Sequence, residues 1–392
     1  MISHKILLKI IFVSTILEFN NLFSQNFDWG GYSKYLLSYS KIEGVNENLL
    51  DHIIHTRFNF HYYFNDNSNI SFALRNKLIF GNSIEKIPSY VENLQDKKSL
   101  IRLNEIIIKR GKITDYIEVD RFYLTLLSEN FQFDIGKQRI AWGTSWVWNI
   151  TDLFNPLSIL DFDYEERPAI DGIRFQYFPG ILTKIDLAIK PEKSLDKFTS
   201  AIQVSTNFLG YDIYFLTGIH KNRFFIGSSW AGNIWDAGFR GEFIAFQPPS
   251  KLNSPILHIF KNEKRTQISC VLSFDYTFSN SLYLHSEILY NNIGAKDSLS
   301  LIKQESLELG LLSPAKISLF YQIGYNISPL VRLDIFSLHN PIDKSLALLP
   351  SFNYSFSQDL DFSLILLFIF GKNYAEFFPN SKMYFGRVKY SF

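Results

Sequence analysis

A chain of 392 residues with a formal net charge of +1 and only 20% charged side chains carries no footprint for binding nucleic acid or another polyanion. Its single cysteine, Cys270, excludes an internal disulfide framework and a cysteine-rich metal site, while 38 Phe and 21 Tyr give an aromatic share of 17%, rich for a globular enzyme. The length fits two or three soluble domains or one large barrel, so the pattern along the chain has to decide.

Residues 1–25 read as a secretory signal. Lys5 and Lys9 flank a short apolar core, Ile10 to Leu17, and Leu22-Phe-Ser-Gln25 leads into the mature sequence. That core is too short for a membrane-spanning helix, and no run of about 18 apolar residues occurs elsewhere. No cysteine stands near Ser24 to carry a lipid. Residues 26–392 are expected to form one domain, beginning with a strand over Trp29 to Tyr39.

From there a period of two dominates, which is the strand signal. Over Ile54 to Phe64 one face carries Ile54, Thr56, Phe58, Phe60, Tyr62 and Phe64, and the other His55, Arg57, Asn59, His61 and Tyr63. After the polar turn at 65–69 the pattern resumes, with Ile70, Phe72, Leu74, Leu78 and Phe80 opposite Ser71, Arg75 and Lys77. Ile268, Cys270, Leu272 and Phe274 oppose Gln267, Ser269 and Ser273; Leu360, Phe362, Leu364 and Leu366 oppose Asp361 and Ser363. In a sandwich the apolar face would be core; in a membrane barrel it would meet lipid and the polar face would line water.

The connections favour the barrel, because short and long ones alternate. Short turns are expected at 65–69, 128–130, 179–180, 207–210, 231–233, 279–281, 326–329 and 357–359. Longer loops are expected near 40–52, 81–115, 141–169, 191–197, 247–265, 291–315, 339–345 and 371–381, with a short exception at 221–222. Segments of about 9–12 residues suit strands that cross a bilayer at a tilt. The reading is an all-β, transmembrane, antiparallel up-and-down β-barrel of about 18 strands (16–18), with short periplasmic turns and long extracellular loops. The final stretch alternates Tyr384, Gly386, Val388, Tyr390 and Phe392 with Phe385, Arg387, Lys389 and Ser391. It resembles the C-terminal signal of bacterial outer-membrane proteins, which implies insertion by the barrel-assembly machinery, with outer-membrane lipid and lipopolysaccharide as surroundings.

Charged residues on polar faces should point inward, since a charge on the lipid face costs about 2–4 kcal/mol at mid-bilayer. Parity gives a basic set of Arg57, Arg75, Lys77, Arg121, Lys137, Arg139, Arg174, Arg240, Arg332, Arg387 and Lys389. The acidic set is Asp186, Asp212, Asp236, Glu242, Asp275, Glu287 and Asp334. The segment after the fifth strand stands apart. Trp142, Trp146 and Trp148 are amphipathic, Asp152 and Asn155 are turn formers, and an acidic run follows in Asp161, Asp163, Glu165 and Glu166, with Arg167 among them. Folded inward, this loop would constrict the channel and face a basic wall; left outside, its acids would be a solvated surface.

Gly136-Lys-Gln-Arg-Ile-Ala-Trp-Gly143 followed by Thr151-Asp-Leu-Phe-Asn-Pro156 resembles the motif of porin-like outer-membrane barrels related to the alginate-export channels. The match covers residues 120–175. It implies a substrate channel of the Gram-negative outer membrane, with Arg139, Asp152 and Asn155 near the constriction. Catalysis finds little support. His55 and His61 share a face but stand about 20 Å apart at the usual strand rise; His285 lies near Ser269 and Ser273, which lumen polarity also explains. No cofactor and no metal site are expected. The residues thus point to a passive porin for small hydrophilic or anionic solutes, with a barrel serving polysaccharide export or surface assembly as the alternative.

Overall fold

A computed structural model describes residues 26–87, 90–94, 100–155, 168–194, 197–248, 265–295, 306 and 309–392. The expected signal segment at 1–25 and the acidic run at 161–167 lie outside these residues. The strands are β1 (Phe27–Ile42), β2 (Leu49–Asn65), β3 (Ser68–Gly81), β4 (Asn104–Arg110), β5 (Ile113–Leu127), β6 (Phe131–Gln138), β7 (Ile170–Gly180), β8 (Thr183–Lys190), β9 (Thr199–Phe208) and β10 (Tyr211–His220). They continue as β11 (Arg223–Ile234), β12 (Ala237–Phe246), β13 (Gln267–Thr277), β14 (Leu282–Asn291), β15 (Ile317–Ser328), β16 (Val331–Asn340), β17 (Ser345–Ser355), β18 (Leu360–Phe370) and β19 (Ser381–Ser391). Two short helices, α1 (Ser83–Lys86) and α2 (Tyr90–Leu94), sit in the loop after β3.

Every pairing between named strands is antiparallel with its sequence neighbour, apart from one detour, and β1 closes the circuit on β19 from Tyr32↔Ser391 to Ile42↔Ser381. The detour is β4. β3 pairs with β5 along its length, Ser68↔Leu126 to Phe80↔Ile113, while β4 pairs only with the first part of β5 and β6 only with its second half, Phe122↔Lys137 to Leu127↔Gln132. β6 stops at Gln138 because the chain there turns into the barrel. β4 takes the place in the wall that β6 vacates. Of 19 strands, β4 spans only this outer part, so the barrel has 18 spanning strands. The stretch Leu100 to Lys109 could be helix or strand by its sequence; the structure makes it a strand from Asn104 onward, paired to the edge of β5.

The turn positions hold at the short-turn end with shifts. The expected turn at 231–233 lies inside β11, and the chain reverses at Trp235 and Asp236 instead, so Asp236 is an exposed turn residue rather than a wall acid. Pro179 and Gly180 end β7, and the link itself is the exposed pair Ile181 and Leu182.

The outward face is apolar, as a lipid-facing wall requires. At the short-turn end an aromatic row crosses four neighbouring strands, with ring centroids of Phe27–Phe60 at 5.8 Å, Phe60–Phe72 at 6.0 Å and Phe72–Phe122 at 6.1 Å. Phe392 joins the same belt, 5.7 Å from the ring of Trp29 and 5.6 Å from that of Phe58. Its backbone exchanges both hydrogen bonds with Gly31, so the last residue is a rung of the closing seam. Ile323 and Ile335 pair on this outward face away from the strand ends, both exposed. Replacing Ile335 by arginine there is expected to destabilise the barrel by about 2–4 kcal/mol, read as the shift in urea unfolding in lipid vesicles. Equal stability would place Ile335 outside the hydrocarbon.

The interior departs from expectation. A simple inward-polar wall would leave an aqueous, side-chain-lined lumen, yet a hydrophobic core occupies part of the inside. Ala188, Ala201, Leu216, Phe225, Ile244, Val271, Leu289 and Phe320 supply it from successive strands β8 to β15, all under a tenth exposed. These strands carry apolar residues on both faces at that level. What they pack against is the segment that leaves the wall after β6.

Candidate functional site

That segment, residues 139–155, crosses the barrel. It leaves at Gln138, touches β8 through Trp142 and Asp186, and from Thr144 onward is bonded to β12 and β14, five and seven strands beyond β7 in a circuit of 18. Ile140, Trp142, Val147, Trp148, Ile150, Leu153 and Phe154 join the interior core, and together they give the loop a dry anchoring face. The stretch has no regular hydrogen-bonding pattern, so its amides need other acceptors.

Two wall carboxylates supply them. Glu242 of β12 accepts from the amides of Thr144 (2.7 Å), Ser145 (2.8 Å) and Thr151 (2.9 Å), and from the Thr151 hydroxyl at 2.9 Å. Glu287 of β14 accepts from the amides of Trp146 (2.8 Å), Val147 (3.1 Å) and Trp148 (3.1 Å). Both side chains are almost wholly buried. Five successive backbone amides, Thr144 to Trp148, therefore converge on two negative charges, and bonds from amides to a carboxylate are stronger than neutral ones. At Gly143 φ is +104°, and a Cβ would stand 2.6 Å from Asn149 Oδ1 and 3.0 Å from Glu242 Oε1. Gly143→Ala is expected to dislodge the loop from Glu242 while the barrel still closes, read as new tryptic cleavage at Arg139 in the folded protein; an uncut loop would show that the backbone adapts.

The loop residues singled out by sequence mostly build the loop. Trp142 is buried, donates from Nε1 to Asp186 at 3.3 Å and meets Phe154 edge-on at 5.1 Å. Asp152 accepts from the Asn155 amide at 3.0 Å, and Asn155 Oδ1 accepts from the Ile140 amide at 3.0 Å while its Nδ2 donates to Pro168 O. These bonds tie the loop's start to its end. Asp152 and Asn155 are both about 2% exposed, so they shape the loop without facing open space.

The wall charges divide into two groups. Arg57, Arg75, Arg121 and Lys137 are buried at 8% exposure or less. Three of them converge on Asp120: Arg57 at 2.8 Å, Arg75 at 3.1 Å and Arg121 at 3.2 Å, with Arg75 also bonded to Glu118 at 2.9 Å. Lys77 is half-buried beside them, opposite His55 in the register. The remaining set keeps contact with solvent. Arg174 grips Asp186 through Nε (2.9 Å) and Nη2 (2.5 Å), Arg240 bonds Asp275, and Arg332 holds Asp334 with two bonds of 2.8 Å. Arg139 is exposed, and Arg387 donates to Ser363 at 3.3 Å.

Asp120 was not among the residues that alternation marks as inward. β5 carries a bulge at Val119–Arg121, where Ala73 pairs with Arg121 and the next residue, Leu74, pairs with Val119. The extra residue puts Asp120 on the same side as Arg121. A run of Glu118, Asp120 and Arg121 at a strand centre is the one signal that could have shown it.

Ser273 and His285 do meet, at 3.0 Å, while Ser269 bonds Asn291 instead. The same His285 nitrogen, Nε2, also faces Glu287 at 3.2 Å. A hydrolytic relay needs opposite ring nitrogens for nucleophile and acid. This cluster uses one.

No family model matches the chain, and no curated protein matches it in sequence. Solved structures do match in fold. OccAB1 of Acinetobacter baumannii superposes with a TM-score of 0.58 at 8% identity, covering 95% of this chain and 99% of that one. OccAB3 of the same organism gives 0.58 at 10% identity over 93% and 99% of the two chains. OccD3 (OpdP) of Pseudomonas aeruginosa gives 0.54 at 8% identity over 93% and 91%. At such identities the likeness is one of architecture: this chain has the closed, antiparallel, 18-stranded barrel of the Occ outer-membrane porins.

Proposed function

We propose that this protein is a passive channel of the Gram-negative outer membrane for small hydrophilic or anionic solutes. The observation that carries the reading is the loop 139–155, bound across the barrel by Glu242 and Glu287. An adhesive or purely structural barrel has no use for an internal crossing segment held by buried carboxylates. A porin does, since pore width and charge at its narrowest point select solutes.

On this reading exposed Arg139 of the loop and the partly exposed wall charges Arg174, Arg240, Arg332, Arg387 and Lys389, with Asp186, Asp275 and Asp334, line the water path. The buried set around Asp120 braces one side of it. The acidic run Asp161, Asp163, Glu165 and Glu166, with Arg167, is proposed to act at the same constriction. Lipid and lipopolysaccharide would surround the barrel, and the barrel-assembly machinery would insert it. A relation to the alginate-export channels rests on the Gly136–Pro156 motif; the export alternative has no other support, and the fold likeness is to porins. No catalytic role is assigned.

Refolded protein in a planar bilayer under a salt gradient tests the reading. Stable open steps with a defined reversal potential are expected, and neutralising the four acids at 161–166 should move that potential towards anion preference. A correctly folded barrel without conductance would end the porin reading. An unmoved potential would place the acidic run away from the path.

A further inference from the structure

The outward face of β9 to β12 carries a groove of about 410 Å³, lined by Ile202, Phe215, Thr217, Ile226, Ser228 and Phe243 among others. The register explains it. Ser228 stands between Phe215 and Phe243, and Thr217 between Ile202 and Ile226, so two short side chains form a floor between bulky walls. The Thr217 hydroxyl is spent on Phe225 O at 2.8 Å. At the long-loop end of the same strands the rim is low. The β10–β11 connection is only Lys221 and Asn222, both in the left-handed conformation of a tight hairpin. The Lys221 amide donates to Phe198 O at 3.0 Å and the Lys197 amide to Ser194 O at 3.0 Å, so this turn and the β8–β9 loop form one edge.

That edge is basic. Lys193, Lys197 and Arg265 are exposed on it and Lys221 is half-buried. Among the described residues its one acid, Glu192, is taken by Lys190 at 3.2 Å. Thr217 lies four residues from Lys221, about 13 Å at the usual strand rise, so the groove falls within the hydrocarbon of one leaflet, about 15 Å deep. A groove at that depth under a cationic edge fits an amphiphile with acyl tails and more than one negative charge in its head. A second copy of this chain fits worse, since a two-fold axis along the membrane normal would set the same cations face to face. A zwitterionic lipid would leave the lysines unmatched. We propose that this face binds a bis-phosphorylated, multiply acylated glycolipid of the lipid A type, with one acyl chain in the groove and its phosphates at Lys193, Lys197, Lys221 and Arg265. The site goes beyond the channel reading: it needs the barrel's place in the outer membrane, not its conductance.

Native mass spectrometry of the refolded barrel, titrated with lipid in detergent, tests it. The probes are lipid A, lipid A stripped of its phosphates, and phosphatidylglycerol. One lipid A per barrel is expected to be retained in preference to either control. Replacing Lys193, Lys197 and Lys221 together by serine should weaken it about a hundredfold. Ser228→Phe, which fills the groove with a side chain that the lipid face tolerates, should weaken it about tenfold by displacing a few methylenes. Heat-modifiable migration in gels checks that each variant is folded. Either control retained as well as lipid A would overturn the proposal, as would lipid A affinity unchanged in both variants. A lipid-free dimer would also overturn it and give the face to a second copy.

Discussion

Replacing Glu242 by alanine is expected to raise single-channel conductance, blunt ion selectivity and expose the chain after Arg139 to trypsin, in a barrel that remains closed. Among the described residues Glu242 is the one carboxylate bonded to Thr144, Ser145 and Thr151, and four donors lose their acceptor at once. Each buried donor left unmade costs about 1–3 kcal/mol, so the loop is several kcal/mol less favourable in place than swung away into water. Glu242→Gln is the sharper control. It keeps the volume but turns one acceptor oxygen into a donor facing other donors, so most of the effect should persist. Adding Glu287→Ala should release the loop fully, because the amides of Trp146, Val147 and Trp148 then also lose their partner. Unchanged conductance in the double variant would mean that Trp148, Ile150 and Phe154 hold the loop by apolar packing alone.

The second large effect is expected at Asp120. Asp120→Ala takes from Arg57, Arg75 and Arg121 the carboxylate that all three share, with Glu118 close by on Arg75, all nearly buried. Breaking a buried ion pair by removing one partner costs about 3–5 kcal/mol, because the charge left behind stays desolvated. Urea unfolding in lipid vesicles should show a loss of that order. Asp120→Asn, which keeps an acceptor but not the charge, should lose less. A second-site change, Arg57→Leu, should recover part of the loss by removing one unbalanced cation. If Asp120→Ala unfolds like the wild type, water reaches this cluster and screens it.

How far the sequence speaks is clearest by comparing elements. Lipid-facing alternation is enforced at every outward position, so the barrel, its strand number and the sense of its turns were legible. The inward face obeys no such rule. Glu242 and Glu287 were recognisable as inward acids by parity, but their partners lie about a hundred or more positions away in the chain. Nothing local links them. Leu216, Ile244 and Phe320 read as ordinary strand apolars; only the inward loop makes them core. Alternation also fails wherever a bulge intervenes, which hid Asp120. The loop's entry motif was visible from Gly136 onward, and what stayed hidden was the far bank to which it is moored.

The vacated position of β6 has a further consequence for how the chain can come together. A ring of staves normally tolerates trimming of whatever projects above its rim. Here one stave is spliced from two pieces: β6 below and β4 above, with β5 backing both. The splice is also tied sideways, since the Ile101 amide donates to Asp171 at the start of β7 at 3.0 Å. Shortening the excursion between β3 and β5 would therefore cut a window in the barrel's side rather than crop a surface loop. Assembly inherits the same order. The upper splice has to be seated when the crossing segment turns inward, or β7 would close against β6 with a slot above it.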